Sequence, residues 1–186
     1  MYAVRDTCAA VLVAVTLLTG HVAPAAAESW ATDDPAGDGA PEQWGDVVQV
    51  RANHSLRRVW VRVTYAHTQG DLLNVYLDTR ARNEGPEFNV QVNGDWPDQS
   101  AVYRIDDFGR PYAPGRGAVE RECTGLRSWL LDDEPTILVR VPRRCLRVGA
   151  NDPARVRVSV LSANTLAVVD WAPGRREYSP WLRHPA

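Results

Sequence analysis

The sequence predicts an all-β fold, an antiparallel β-sandwich of about seven to nine short strands with little helix. Two observations predict it. From Asp46 onward, apolar and polar residues alternate with a period of two, in segments rich in Val, Ile, Tyr and Trp. These segments are separated by clusters of Gly, Pro, Asn and Asp, the residues that turns require.

Each element follows in order. Residues 1–27 read as a secretory signal peptide: Arg5, an apolar run from Ala9 to Leu18, then Ala25-Ala26-Ala27 as the small-residue cleavage site. The run is shorter than the roughly 20 residues that span a bilayer. Residues 28–45 are acidic and turn-rich and read as an N-terminal arm. The domain proper is 46–171. Its alternating runs are "VVQVRA", "RVWVRVTYA", "LLNVYLDT", "EFNVQVN", "AVYRID", "TILVRVP" and "ARVRVSVLS", with weaker ones in "GAVEREC" and "TLAVVDW". "PRRCLRV" is the best short helical turn, starting at Pro142, where proline is tolerated. Residues 172–186 form a tail whose Tyr178, Trp181 and Leu182 should pack back on the domain.

Alternation also assigns faces. Val59, Val61, Val63 and Tyr65 share one side, as do Leu73, Val75 and Leu77, and Phe88, Val90 and Val92. Ile137, Val139 and Val141, then Val156, Val158 and Val160, complete the expected core. Pairing Leu77 with Phe88, Val75 with Val90 and Leu73 with Val92 makes a hairpin of Leu73 to Val92. Its outward pairs are Asn74 with Gln91, Tyr76 with Asn89, and Asp78 with Glu87.

Bulk chemistry narrows the function. The net charge is −2, which argues against generic polyanion binding and so against nucleic acid as a partner. All basic side chains are arginine, as a GC-rich coding sequence would produce. No second apolar run follows the signal, so no membrane anchor is expected in the mature chain. Removal of the signal takes Cys8 and leaves Cys123 and Cys145, 22 residues apart. In an exported chain such a pair predicts one disulfide.

Candidate chemistry sits in three places. The outward row Asn74, Tyr76, Asn89, Gln91 and Asn93 offers amide donors and acceptors beside an aromatic ring, as a sugar or peptide surface needs. It is also what an ordinary solvent-facing sheet presents. Trp60, outward by alternation, joins the row as a candidate ligand platform; with seven tryptophans, an exposed one would mark a partner site. At the hairpin mouth, Asp78 and Glu87 are like charges placed opposite each other, which is unfavourable without a counter-charge. Arg80 or Arg82 in the turn is the expected counter-charge. Calcium is the alternative, with Asp33, Asp34 and Asp38 of the arm as further oxygens. A third arginine-bearing row, Arg62, Arg140 and Arg157, would pair with carboxylates or hold an anion. No cofactor other than that calcium is expected. His54, His67 and His184 fall in no catalytic spacing, and G-x-S-x-G, H-E-x-x-H and P-loop patterns are absent. Asp78 and Glu87 alone are thin grounds for a glycosidase.

The stretches "DDPAGD", "GDVVQVRANHSLRRVWVRVTY", "VYLDT…GPEF" and "VRVPRRCLRV…PARVRVSV" resemble a group of uncharacterised secreted actinobacterial proteins, similar in layout to carbohydrate-binding and DOMON-like sandwiches. The resemblance implies a non-catalytic extracellular sandwich and carries over no individual binding residue. The leading expectation is a secreted, non-enzymatic module for a carbohydrate or cell-envelope ligand. The alternative is a secreted protein-interaction or structural protein.

Overall fold

The computed structural model describes residues 27–39, 44–83, 85–109, 117–131, 134–164 and 167–185. The expected signal segment lies outside these residues, apart from Ala27. The strands are β1 (Glu28–Asp33), β2 (Val47–His54), β3 (Arg58–Tyr65), β4 (Leu72–Asp78), β5 (Phe88–Asn93) and β6 (Ser100–Arg104). They continue with β7 (Val119–Arg121), β8 (Arg127–Leu130), β9 (Thr136–Pro142), β10 (Arg155–Ala163), β11 (Val168–Ala172) and β12 (Leu182–Arg183). One 3-10 turn, Arg143–Leu146, follows Pro142 where the helical turn was expected.

These strands form two antiparallel sheets. One has five strands in the order β1-β2-β3-β9-β8. The seven-stranded sheet runs β11-β10-β4-β5-β6-β7, with β12 added on β10. They pack face to face because each offers one continuous apolar side. Every residue of the expected core is buried in a single cluster. At about 25 cal/mol per Å² of apolar surface, that burial is the main force holding the layers together. The hairpin register is also the expected one: Leu77 faces Phe88, Val75 faces Val90 and Leu73 faces Val92.

The structure departs from expectation at the N-terminal end. Residues 28–33 of the arm are a strand, paired along their whole length with β2, Glu28 opposite His54 and Asp33 opposite Gln49. An edge strand buries little, so "ESWATD" carries no strong alternation; Trp30 alone among its side chains packs on the core. The tail does pack back, as a short strand. Leu182 is buried, and its carbonyl meets the Nδ1 of buried His54 at 2.9 Å. Cys123 and Cys145 are bonded, which ties the turn before β8 to the 3-10 turn after β9. Among the described residues, no helix is long and apolar enough to cross a membrane.

Candidate functional site

The outward row of the hairpin does not form one open surface. Asn74, Tyr76 and Asn89 are buried, at 1%, 0% and 0% exposure. A second, smaller apolar cluster covers them: Tyr76, Ile105 and Leu161, with Phe108 and Trp171 against it. Tyr76 stacks on Trp171 at 5.7 Å and meets Phe108 edge-on at 5.1 Å. Asn89 donates from Nδ2 to Asn74 Oδ1 at 3.1 Å, while its own Oδ1 is buried without a partner among the described residues. The expectation of solvent-facing residues at 74, 76 and 89 is therefore corrected. Alternation places them on the outer face, but only the loop after β6 and strand β11 show that this face is roofed.

Gln91 and Asn93 remain accessible. They line a cleft of about 590 Å³ at the Leu72 end of β4, where the roof stops. Asp71, Gln99, Tyr103 and Asn164 join them, over a floor that includes Leu72 and Ala101. Strands β4, β5 and β6 present these side chains because every second residue points outward, so Gln91 and Ala101 stand opposite each other. The rim is held by two hydrogen bonds: the Gly94 N–H donates to the Asp71 carbonyl at 2.8 Å, and the Gln69 side-chain Nε2 to the Gly94 carbonyl at 3.3 Å. A Cβ on Gly94 would lie 1.9 Å from the Gly70 carbonyl, so only glycine allows the two turns to meet. Burial, and then the Glu120 charge, raise the Tyr103 pKa, so its ring enters the cleft with a neutral hydroxyl. Of the cleft residues only Gln91 and Asn93 were picked out from the sequence. Outward alternation in "SAVYR" could have supplied Tyr103, whereas Asn164 and Asp71 come from loops.

Trp60 is not part of this cleft. It lies on the five-stranded sheet, edge-on to Trp129 at 5.8 Å, with the guanidiniums of Arg58 and Arg140 5.7 and 5.8 Å from its ring centre.

Among the described residues, no arginine of the turn forms an ion pair with either carboxylate at the hairpin mouth. The counter-charge is Arg157, from β10. Its Nε is 2.7 Å and its Nη2 2.5 Å from Asp78 Oδ2. Arg80 contributes its backbone N–H to Asp78 Oδ1 at 2.9 Å, while its guanidinium donates to the Val148 carbonyl. Glu87 accepts from the Thr79 N–H at 2.7 Å, the Thr79 hydroxyl and Asn83 Nδ2. Burial, reinforced by Asp78, pushes the Glu87 pKa up. The repulsion expected from the sequence is present, but β10 answers it, and β10 is distant in sequence.

The carboxylates with metal-ligand spacing lie elsewhere. One oxygen each of Asp34, Asp38 and Asp170 fall within 4.8 Å of one another. Asp34 and Asp38 follow β1, whereas Asp170 belongs to β11, so the cluster exists only because β11 lies across the β2 end of the molecule. Asp46 braces the turn beneath it, accepting from Gly37 N–H at 2.8 Å and Gly39 N–H at 3.4 Å. Asp170 accepts from Val47 N–H at 2.8 Å and Trp171 N–H at 2.6 Å. Asp34 Oδ2 is buried with no partner among the described residues. These are the residues that could hold a hard cation, an all-oxygen set of the kind calcium accepts. Asp33, the third arm carboxylate expected near a cation, instead takes a bond from Gln49 Nε2 at 2.6 Å.

Burial, then the neighbouring charges of Asp170, Asp38 and Asp46, raise the Asp34 pKa to about 7. Burial likewise raises Asp170 to about 6. A carboxyl raised in the folded state loses stability to the unfolded chain as pH climbs from its unfolded value near 3.9 through its folded one. His54 acts in the opposite sense: burial lowers it to about 4, so its contribution strengthens from there up to the unfolded value near 6.5. The comparison that isolates the carboxyl is Asp34→Asn against the wild type in calcium-free buffer. The variant should gain on the wild type from pH 4 to pH 7 and hold a constant lead above that. Equal melting temperatures across the range would refute the assignment.

No family model matches the chain, and no curated protein or solved structure matches it.

Proposed function

We propose that the protein is a secreted, non-catalytic binding module that holds a carbohydrate or cell-envelope glycan in the cleft at the Leu72 end of β4. The observation that carries this reading is the cleft's lining. Gln91 and Gln99 supply paired donors and acceptors around the Tyr103 ring, beside Asn93, whose Oδ1 holds the Asp95 and Trp96 N–H groups, over a partly apolar floor. Sugars present hydroxyls at their edges and C–H faces above and below, and this combination matches both. The disulfide supports an oxidising compartment outside the cytoplasm, in keeping with the signal-like first residues.

Neutral-glycan arrays and cell-wall pulldown test the reading. Tyr103→Ala and Gln91→Ala should each weaken binding about tenfold or more, a loss of about 1.4 kcal/mol. Trp60→Ala, on the other sheet, should leave it unchanged. Binding that ignores both cleft substitutions would move the site off this face. A second reading has its own observation: Trp44 and Trp96 are 68% and 58% exposed, as anchors for a protein partner would be. Capture of a protein lost on Trp96→Ala and kept on Tyr103→Ala would favour it.

A further inference from the structure

We propose that the outer face of the five-stranded sheet, beside the disulfide, binds a tetrahedral oxyanion: a sulfate or phosphate ester carried by an anionic polysaccharide. The site is independent of the amide-lined cleft and lies on the other sheet.

Arg57, Arg58, Arg140 and Arg144 line one cavity of about 270 Å³, closed by Gly125 and Pro142. Four arginines line one small space, and no carboxylate among the described residues lines it. The described ion pairs of this chain belong to Arg62, Arg147 and Arg157, each with its own acid. None of the four cavity arginines has one among the described residues. Like charges gathered this closely repel unless something neutralises them. A small dianion would do so with several charge-assisted hydrogen bonds at once, and the planar fork of arginine suits phosphate and sulfate oxygens.

The fold also preorganises the group. Arg58 stands opposite Pro142 and Trp60 opposite Arg140 in the β3–β9 ladder. Both guanidiniums rest against the Trp60 ring. Arg144 Nη2 donates to the Thr124 carbonyl, which sets the far wall. Cys145 follows Arg144 directly and is bonded to Cys123, so the disulfide clamps that wall to the turn carrying Gly125. Gly125 has φ +90°, which lets the backbone turn there without strain. Arg127, opposite Arg140 on β8, extends the basic surface.

Four of the chain's 21 arginines meet at this one small cavity, on a chain of net charge −2. That favours a localised oxyanion over a nucleic-acid duplex, which needs a long row of phosphate contacts.

Biolayer interferometry on the full chain tests the assignment, with dextran sulfate, dextran phosphate and unmodified dextran as probes. The wild type should bind one charged dextran at least tenfold more tightly than the unmodified polymer, weakening as salt rises; which one identifies the ester. Arg57→Ala/Arg144→Ala, two exposed side chains outside the core, should lose at least tenfold. Arg175→Ala/Arg176→Ala, the same charge removed from the exposed turn after β11, should change binding less than twofold. Gln91→Ala/Tyr103→Ala should leave charged-dextran binding intact, so failure of the neutral-glycan reading would not count against this one. Three results would overturn it: no preference for either charged dextran, equal losses in the two arginine pairs, or equal affinity for a DNA duplex of matched charge.

Discussion

Replacing Arg157 with alanine should cost roughly 3–5 kcal/mol, because it leaves the Asp78 carboxylate buried and unpaired. Asp78 is fully buried, whereas Arg157 is partly open to solvent, so the two partners are not equivalent. Loss of the acid frees a cation that can turn to water; loss of the arginine strands an anion. Arg157 also lies 4.2 Å from the Tyr178 ring centre and 4.8 Å from that of Trp181, so its removal loosens the tail. Asp78→Asn should therefore cost less than Arg157→Ala. The double variant should recover part of the loss, since no buried charge is left. Urea unfolding of the three variants measures this. A loss under 1 kcal/mol in Arg157→Ala would show that water or Arg80 already serves Asp78.

Removal of the disulfide is the second large effect. With the cysteines 22 positions apart, the unfolded chain regains freedom equivalent to about 3 kcal/mol in the loop-entropy account. For a domain of this size the melting temperature should fall by roughly 6–12 °C in Cys123→Ala/Cys145→Ala. Intact mass with and without reductant, on the chain from Glu28 onward, which lacks Cys8, should first show no free thiol. Two free thiols in that chain, or an unchanged melting temperature, would refute the staple. Alkylation of the reduced, still folded chain should also find Cys145 the later to react, because it is buried at 5% exposure while Cys123 is only half-buried.

Much of the fold was legible in the chain because a strand's side chains alternate with no free parameter. Once Val75 and Val90 are required to share a face, the hairpin register follows, and a one-residue slip would turn the whole apolar set outward. The single disulfide was legible for a different reason: with Cys8 assigned to the signal-like segment, one pair of cysteines remains. Strand β1 was harder to read. An edge strand that buries one tryptophan needs no alternating pattern, and its acidic ends resemble a loop.

The candidate sites were less legible, and in each case the cause is a partner far away in sequence. Alternation says that Tyr76 and Asn89 leave the core side of the sheet. It cannot say that Phe108 and Trp171 cover them while Gln91 and Asn93 stay open. Repulsion between Asp78 and Glu87 is readable from the hairpin alone, but the arginine that answers it arrives on β10, 79 residues away from Asp78. Asp34 and Asp38 look like a solvated turn until β11 brings Asp170 against them. Arg57, Arg58, Arg140 and Arg144 gather only when β3 and β9 pair and the disulfide closes the wall. Short-range sterics and burial set strand identity and facing, and those are written locally. Charge clusters and clefts depend on which strands become neighbours and which loops cross them, and chain packing alone decides that.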